Sequence, residues 1–213
     1  MTAVQTRPAN TLTLREVHEL LGLRRGDSLE FEEKLDLPSL TEQEIAELTQ
    51  LQDLYFSYLA EGTLNEGQVK FLFVSPLLKL AGFFSEEIYI DLEENIEEIN
   101  IRQDDENLLI TGRMDLLVLQ REQKKSFWIL VIETKAGIGS TRLATAQLLT
   151  YAYRGIESQD HVWGLATNGE DYQFFFLQRG SPPTYHYLPK LWLLDRKSIH
   201  RLLQVLKSIR ATL

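Results

Sequence analysis

The six residues Phe127-Trp-Ile-Leu-Val-Ile132 are the longest unbroken apolar run in this 213-residue chain, and they stop abruptly at Glu133-Thr134-Lys135. A run of that length is far short of the ~18 residues needed to cross a bilayer. It reads instead as a β-strand covered on both faces. Such a strand needs structure above and below it, which constrains the chain to a layered α/β arrangement.

The surrounding pattern supplies those layers. Thr41-Glu42-Gln43-Glu44 is a capping box, and the helix after it places Ile45, Leu48, Leu51 or Gln52, Tyr55 and Leu59 on one side before stopping near Gly62. A second helix is expected over 64–80, kinked or divided at Pro76 and ended by Gly82. Residues 88–102 alternate apolar and acidic positions and read as one or two edge-type strands with a turn near Glu94–Asn95. Strands are expected over 108–119, 127–133, 161–166, 172–177 and 185–188, with helices over 14–23, 143–153 and 198–212. Residues 1–13 read as a loose arm. The domain expectation is an N-terminal arm and helical extension over 1–62, followed by one compact unit over 63–213.

Composition narrows the chemistry. With 44% hydrophobic and 25% charged residues the chain has material for a real core. Cysteine is absent, which excludes disulfides, thiolate zinc sites and cysteine nucleophiles. His18, His161, His186 and His200 lack the close spacing of a histidine metal site. Any metal must therefore be held mainly by oxygen. The first residues carry no apolar stretch of signal-peptide length, so a cytoplasmic protein with no membrane association is expected. The net charge of −9 is uneven: −6 over residues 1–60, −9 over 61–120 and +6 over 121–213. So acidic a chain does not hold nucleic acid through its bulk field, although the basic last section could present a local positive face.

The charged end of the apolar run is where chemistry enters. With a strand period of two, Glu133 and Lys135 share one side and Thr134 faces the other. Gly112-Arg113-Met114-Asp115 precedes a second apolar stretch, Leu116–Leu119. If the two strands form a hairpin, Asp115 and Glu133 are symmetric about Lys124, inside the polar run 120–126. The carboxylates then fall opposite one another or one step off. Antiparallel neighbours lie about 5 Å apart, so two acids there repel unless a cation lies between them. Mg²⁺, with Mn²⁺ as its substitute, suits such a site, with water and phosphate completing its coordination. Lys135 would orient or help deprotonate the attacking water, or neutralise charge on the phosphate. Taken alone, Glu-x-Lys reads more readily as a structural ion pair at a strand end; Asp115 at hairpin distance reverses that preference toward the metal site.

Asp115 and Glu133-Thr134-Lys135 resemble the active-site signature of the PD-(D/E)XK nuclease superfamily. The wider text is Gly112-Arg113-Met114-Asp115, Val131-Ile132-Glu133-Thr134-Lys135, Gln147-Leu-Leu-Thr-Tyr151 and Ala166-Thr167-Asn168-Gly169. It resembles the N-terminal nuclease domain of type I restriction enzyme motor subunits and their stand-alone relatives, over roughly residues 64–177. The resemblance implies a restriction-endonuclease-like α/β core with a central mixed β-sheet flanked by helices, plus the N-terminal helical extension. It also implies that Glu66, ahead of Pro76-Leu77-Leu78 and Gly82, is an additional metal ligand; the alternative is a surface acid paired with Lys70. Gln147 and Tyr151 match the family's glutamine-to-tyrosine helix motif. At helical spacing Gln147, Tyr151 and Arg154 also form one polar stripe, suited to a scissile phosphate or DNA backbone, or simply to water. Asn168-Gly169 is a hairpin turn without chemistry.

The functional expectation is a Mg²⁺-dependent endonuclease that hydrolyses DNA backbone phosphodiesters. No Walker A motif is present, so no ATP motor accompanies it. Gly137-Ile138-Gly139-Ser140-Thr141-Arg142 lacks the third glycine of a dinucleotide fingerprint and reads as a flexible loop near substrate. Expected partners are DNA, other restriction-modification or defence proteins, and a second copy in a homodimer. Two other readings stay open: a catalytically silent nuclease-fold binding or assembly module, and an acidic regulatory protein using its helical N-terminus as a partner surface.

Overall fold

A computed structural model of the chain describes residues 4–96, 98–103, 106–122, 125–134 and 141–212. The chain begins with β1 (Val4–Pro8), α1 (Leu14–Leu21), β2 (Arg24–Arg25), α2 (Phe31–Lys34) and α3 (Glu42–Glu61). Next come α4 (Glu66–Val69), a π turn over Lys70–Val74 and α5 (Ser75–Leu80). Five strands follow: β3 (Ile88–Asn95), β4 (Ile99–Gln103), β5 (Glu106–Thr111), β6 (Arg113–Glu122) and β7 (Lys125–Thr134). The remainder is α6 (Thr141–Ile156), β8 (His161–Thr167), β9 (Asp171–Gln178), β10 (Thr184–Tyr187), β11 (Leu191–Trp192) and α7 (Arg196–Ala211).

These elements build the mixed α/β core that the apolar run demands. The large sheet runs β2-β10-β9-β8-β7-β6-β3, with β11 also on β9. Most neighbours are antiparallel, but β7 and β8 are parallel because α6 carries the chain across between them. One face of the sheet packs on α3, α5 and α7 through Leu48, Leu77, Leu116, Leu130, Phe174 and Leu202. The other packs on α6 and α1 through Leu117, Val162, Phe175, Leu148 and Val17. The run 127–132 therefore lies in a strand with a core on each side. Among the described residues no helix is long and apolar enough to cross a membrane.

Several boundaries differ from the sequence expectation, each for a packing reason. The stretch 88–102 divides after Asn95, close to the expected turn, and 108–119, expected as one strand, divides too: β3 and β6 belong to the large sheet, β4 and β5 to a three-stranded sheet of order β1-β5-β4. The breaks fall together, where the Ile96 amide donates to the Gly112 carbonyl at 2.9 Å. Residues 4–8, expected within a loose arm, are the third strand of that small sheet, parallel to β5. Ala9, Leu12 and Val17 are buried in the core beside α6, while Phe31, Leu48 and Tyr55 join the opposite core. The N-terminal segment is thus woven into the fold.

The helix expected over 64–80 is continuous in backbone direction but widens into the π turn just before Pro76. It stops at Gly82 (φ 86°) as expected, with the Phe83 amide returning to Leu78 O at 2.9 Å. The Thr41–Glu44 capping box is present at the start of α3.

Candidate metal and phosphodiester site

Strand register assembles the site. At the closed end of the β6–β7 hairpin Glu122 faces Lys125, and at the open end Leu116 faces Ile132. The next rung outward is Asp115 against Glu133. This alignment depends on a β-bulge. Leu119 faces Trp128 whereas Val118 faces Leu130, so Ile129 is an extra residue in β7. Burial shows the result: Trp128 packs with the core under α6, whereas Leu130 and Ile132 belong to the core on the other face. Without the extra residue, Asp115 would fall opposite Ile132 and Glu133 opposite Met114. The expected turn residue Lys124 lies outside the described residues.

Asp115 is 9% exposed and Glu133 only 1%. Thr134 fixes the orientation of Asp115: its amide and its hydroxyl both donate to Asp115 Oδ2, at 2.7 Å each. The other oxygen, Oδ1, accepts from Lys70 Nζ at 3.4 Å. Acids on facing positions of neighbouring strands repel when both are ionised, and a cation between them offsets that repulsion.

Lys70 currently supplies one positive charge. It opens the π turn, and its ammonium bridges Asp115 and Glu93. Burial alone would lower the Lys70 pKa, but the hydrogen bond to Glu93 and the charge of Asp115 outweigh it and raise it. Glu93 lies on β3 at the rung missing between Leu92–Leu116 and Glu94–Met114, alongside Asp115. Its φ of 56° makes it the one non-glycine residue with positive φ among the described residues. A side chain there costs about 1–2 kcal/mol and indicates that the position is held by its surroundings. Arg113 pairs with its second oxygen at 3.0 Å.

Behind the acids, α6 supports the start of β6. Gln147 Nε2 donates to the Tyr151 hydroxyl at 2.8 Å, and that hydroxyl donates to the Arg113 carbonyl at 3.1 Å. The Tyr151 ring lies against Gly112, where an added Cβ would come within 2.7 Å of it. Only glycine lets the tyrosine approach so closely. Burial, reinforced by the nearby charges of Glu133 and Asp115, pushes the Tyr151 pKa well above its ordinary value. The phenol therefore stays a neutral donor.

The structure brings together Asp115, Glu133, Gln147 and Tyr151 of the residues singled out from sequence. Gln147 (7% exposed) and Tyr151 (1%) are not a solvated stripe. Residues 144–152 are all buried because α6 is covered by the large sheet on one side and by α1 and the N-terminal turn on the other. Their polar atoms hold the main chain two residues from Asp115. Arg154 is not drawn in; it pairs with Glu157 at the end of α6. Glu66 is half-buried in the first turn of α4, one turn before Lys70. Lys135 and the glycines at 137 and 139 lie outside the described residues.

Three contributors were not anticipated. The strand period turns Thr134 away from Glu133, yet its amide and hydroxyl hold Asp115. Lys70 entered only as a partner for Glu66. Glu93 gave no signal beyond its place in an acidic alternation.

No protein-family model matches the chain. No curated protein matches it either. Among solved structures, the crystal structure of SSO0001 is similar at 16% identity, covering 89% of this chain and 80% of its own, with a TM-score of 0.26. A likeness that weak carries no argument about fold or activity.

Proposed function

We propose that the chain is a Mg²⁺-dependent phosphodiesterase acting on DNA, of the PD-(D/E)XK kind, with Asp115 and Glu133 holding the ion. The observation that carries this reading is the bulged hairpin register, which sets two buried carboxylates on facing positions of neighbouring strands at the open end of the hairpin, just beyond the apolar pairs Val118–Leu130 and Leu116–Ile132. The donor set suits a hard divalent cation, being made of oxygen alone. Among the described residues no group of three or more His, Asp or Glu side chains is placed to cage a metal. Most of the coordination would thus be left to water and phosphate, as magnesium sites commonly do.

Mg²⁺, or Mn²⁺ in its place, would supply charge against the phosphate and lower the pKa of water. The chain's own part is positional. Thr134 pins one oxygen of Asp115 and leaves the other turned toward Lys70. Tyr151 and Gln147 fix the main chain that presents Asp115. Lys135 would orient water or meet the charge on the phosphate, and Glu66 would contribute through water. The acidic residues 1–120 leave DNA contact to the basic last section.

Supercoiled plasmid with Mg²⁺ or Mn²⁺ tests the reading. The wild type should nick it and Asp115→Asn should not; equal cleavage by both removes the assignment. A second reading, a nuclease-like fold that binds without cutting, is favoured by the Lys70–Asp115 contact, because the chain then compensates its own acid. Chelator-insensitive DNA binding with no nicking would select it.

A further inference from the structure

We infer that Lys70 is a built-in counter-ion which occupies the cation position beside Asp115 and must withdraw to Glu93 before a divalent metal binds, so that Lys70 sets the metal affinity of the site. The inference rests on the metal-site reading above. Asp115 offers only Oδ1 to a new partner, since Oδ2 already takes both donors of Thr134. Lys70 Nζ faces that same Oδ1 at 3.4 Å. An ammonium and a divalent ion cannot share one carboxylate oxygen in a part-buried setting, because like charges at that spacing repel strongly. One must leave for the other to enter.

The structure also provides the place to which Lys70 withdraws. Glu93 Oε1 already accepts from the same ammonium, and Arg113 pairs with Oε2 at 3.0 Å, so Glu93 keeps a cationic partner when Lys70 moves. The four-carbon stem of lysine lets the ammonium give up Asp115 and keep Glu93 by side-chain rotation alone. The π turn that begins at Lys70 and the left-handed backbone of Glu93 are two irregular features facing one another across this contact. Irregularities of that kind collect where a segment must present a side chain that regular geometry would misplace. Glu93 thus acts as a parking place, and the apparent affinity for metal is the intrinsic affinity reduced by the fraction of molecules whose Lys70 has withdrawn.

Calorimetric titration of the full chain with Mn²⁺ tests this, with circular dichroism melts confirming that each variant is folded. Lys70→Met should bind Mn²⁺ about tenfold more tightly than wild type, whereas Lys70→Arg should bind no more tightly. Glu93→Gln should bind more weakly, because the ammonium loses its alternative. Folded Lys70→Met that binds no more tightly than wild type would overturn the inference. Should Lys70→Met fail to fold, Glu93→Gln decides, and unchanged or tighter binding there overturns it. Asp115→Asn separates the two ideas: if it binds Mn²⁺ as wild type does, the metal-site reading itself fails, whereas loss of binding in Asp115→Asn with no effect in Lys70→Met removes only the role of Lys70.

Discussion

At one end of the large sheet, where β7 and β8 run parallel, Glu133 lies beside Ala166 and Thr134 beside Thr167. The Asp115–Glu133 pair and the Asn168 turn are therefore neighbours, both sparingly exposed and both polar. The turn's backbone amides are met locally. Asn168 Oδ1 accepts from the amides of Glu170 and Asp171 at 3.1 and 2.7 Å, and Thr167 Oγ1 accepts from Gly169 N at 3.0 Å. Every one of these donors comes from within four residues, and the groups that carry them are neutral. The acid pair is built the other way. The donors to Asp115 come from β7 and from the helix segment carrying Lys70, and like charges on facing positions call for a cation. Neutral side chains capping local backbone amides mark a structural turn, whereas a pair of acids met by an ammonium from another element marks a place suited to a bound cation.

Substitutions on the two sides of this contrast should behave differently. The largest effect belongs to Asp115→Asn, which should lower Mg²⁺-dependent plasmid nicking by about a hundredfold or more while changing the melting temperature little. Next is Gly112→Ala. Its methyl group would collide with the Tyr151 ring at 2.7 Å, so the variant should lose about 1–3 kcal/mol. For a domain of this size that is a fall in melting temperature of about 2–4 °C per kcal/mol. Tyr151→Phe should cost about 1–2 kcal/mol in chemical denaturation, because Gln147 and the Arg113 carbonyl each lose a buried partner. Asn168→Ala should cost about 1 kcal/mol and leave nicking unchanged. A large loss of nicking in that variant would erase the distinction between the two clusters.

The smallest effect is in alkaline solution. The Tyr151 pKa is raised in the folded state above the ordinary tyrosine value of about 10. Its contribution to stability is therefore complete below that value and is lost as pH climbs from there through the folded pKa. Denaturant midpoints measured between neutral pH and strong alkali should fall above about pH 10, and the fall should be shallower in Tyr151→Phe. Tyr55, Tyr153, Tyr172 and Tyr185, also raised by burial, add to the fall.

What could be read in advance divides along the same physical line. The Thr41–Glu44 box, the stop at Gly82 and the hairpin centred near residue 124 are local, and a period or a short motif determines each. The opposition of Asp115 and Glu133 followed from symmetry about that turn. The bulge at Ile129 that secures it did not, because a one-residue register shift depends on how both faces of β7 pack. Gly112 read as part of a motif; in the fold it is the point where the chain changes sheets and where Tyr151 lies against the backbone. The polar spacing of Gln147, Tyr151 and Arg154 suggested one surface, yet α6 is covered on both sides and only Arg154 lies near its end. Lys70 meets Asp115 across 45 residues of chain, and no local pattern announces a contact of that range.

The most direct test is a crystal of the protein soaked in Mn²⁺ and measured at the manganese absorption edge. The account predicts an anomalous peak about 2.0–2.3 Å from carboxylate oxygens of both Asp115 and Glu133, with the Lys70 ammonium turned fully to Glu93. A map with Lys70 still on Asp115 and no peak between the two acids would contradict it.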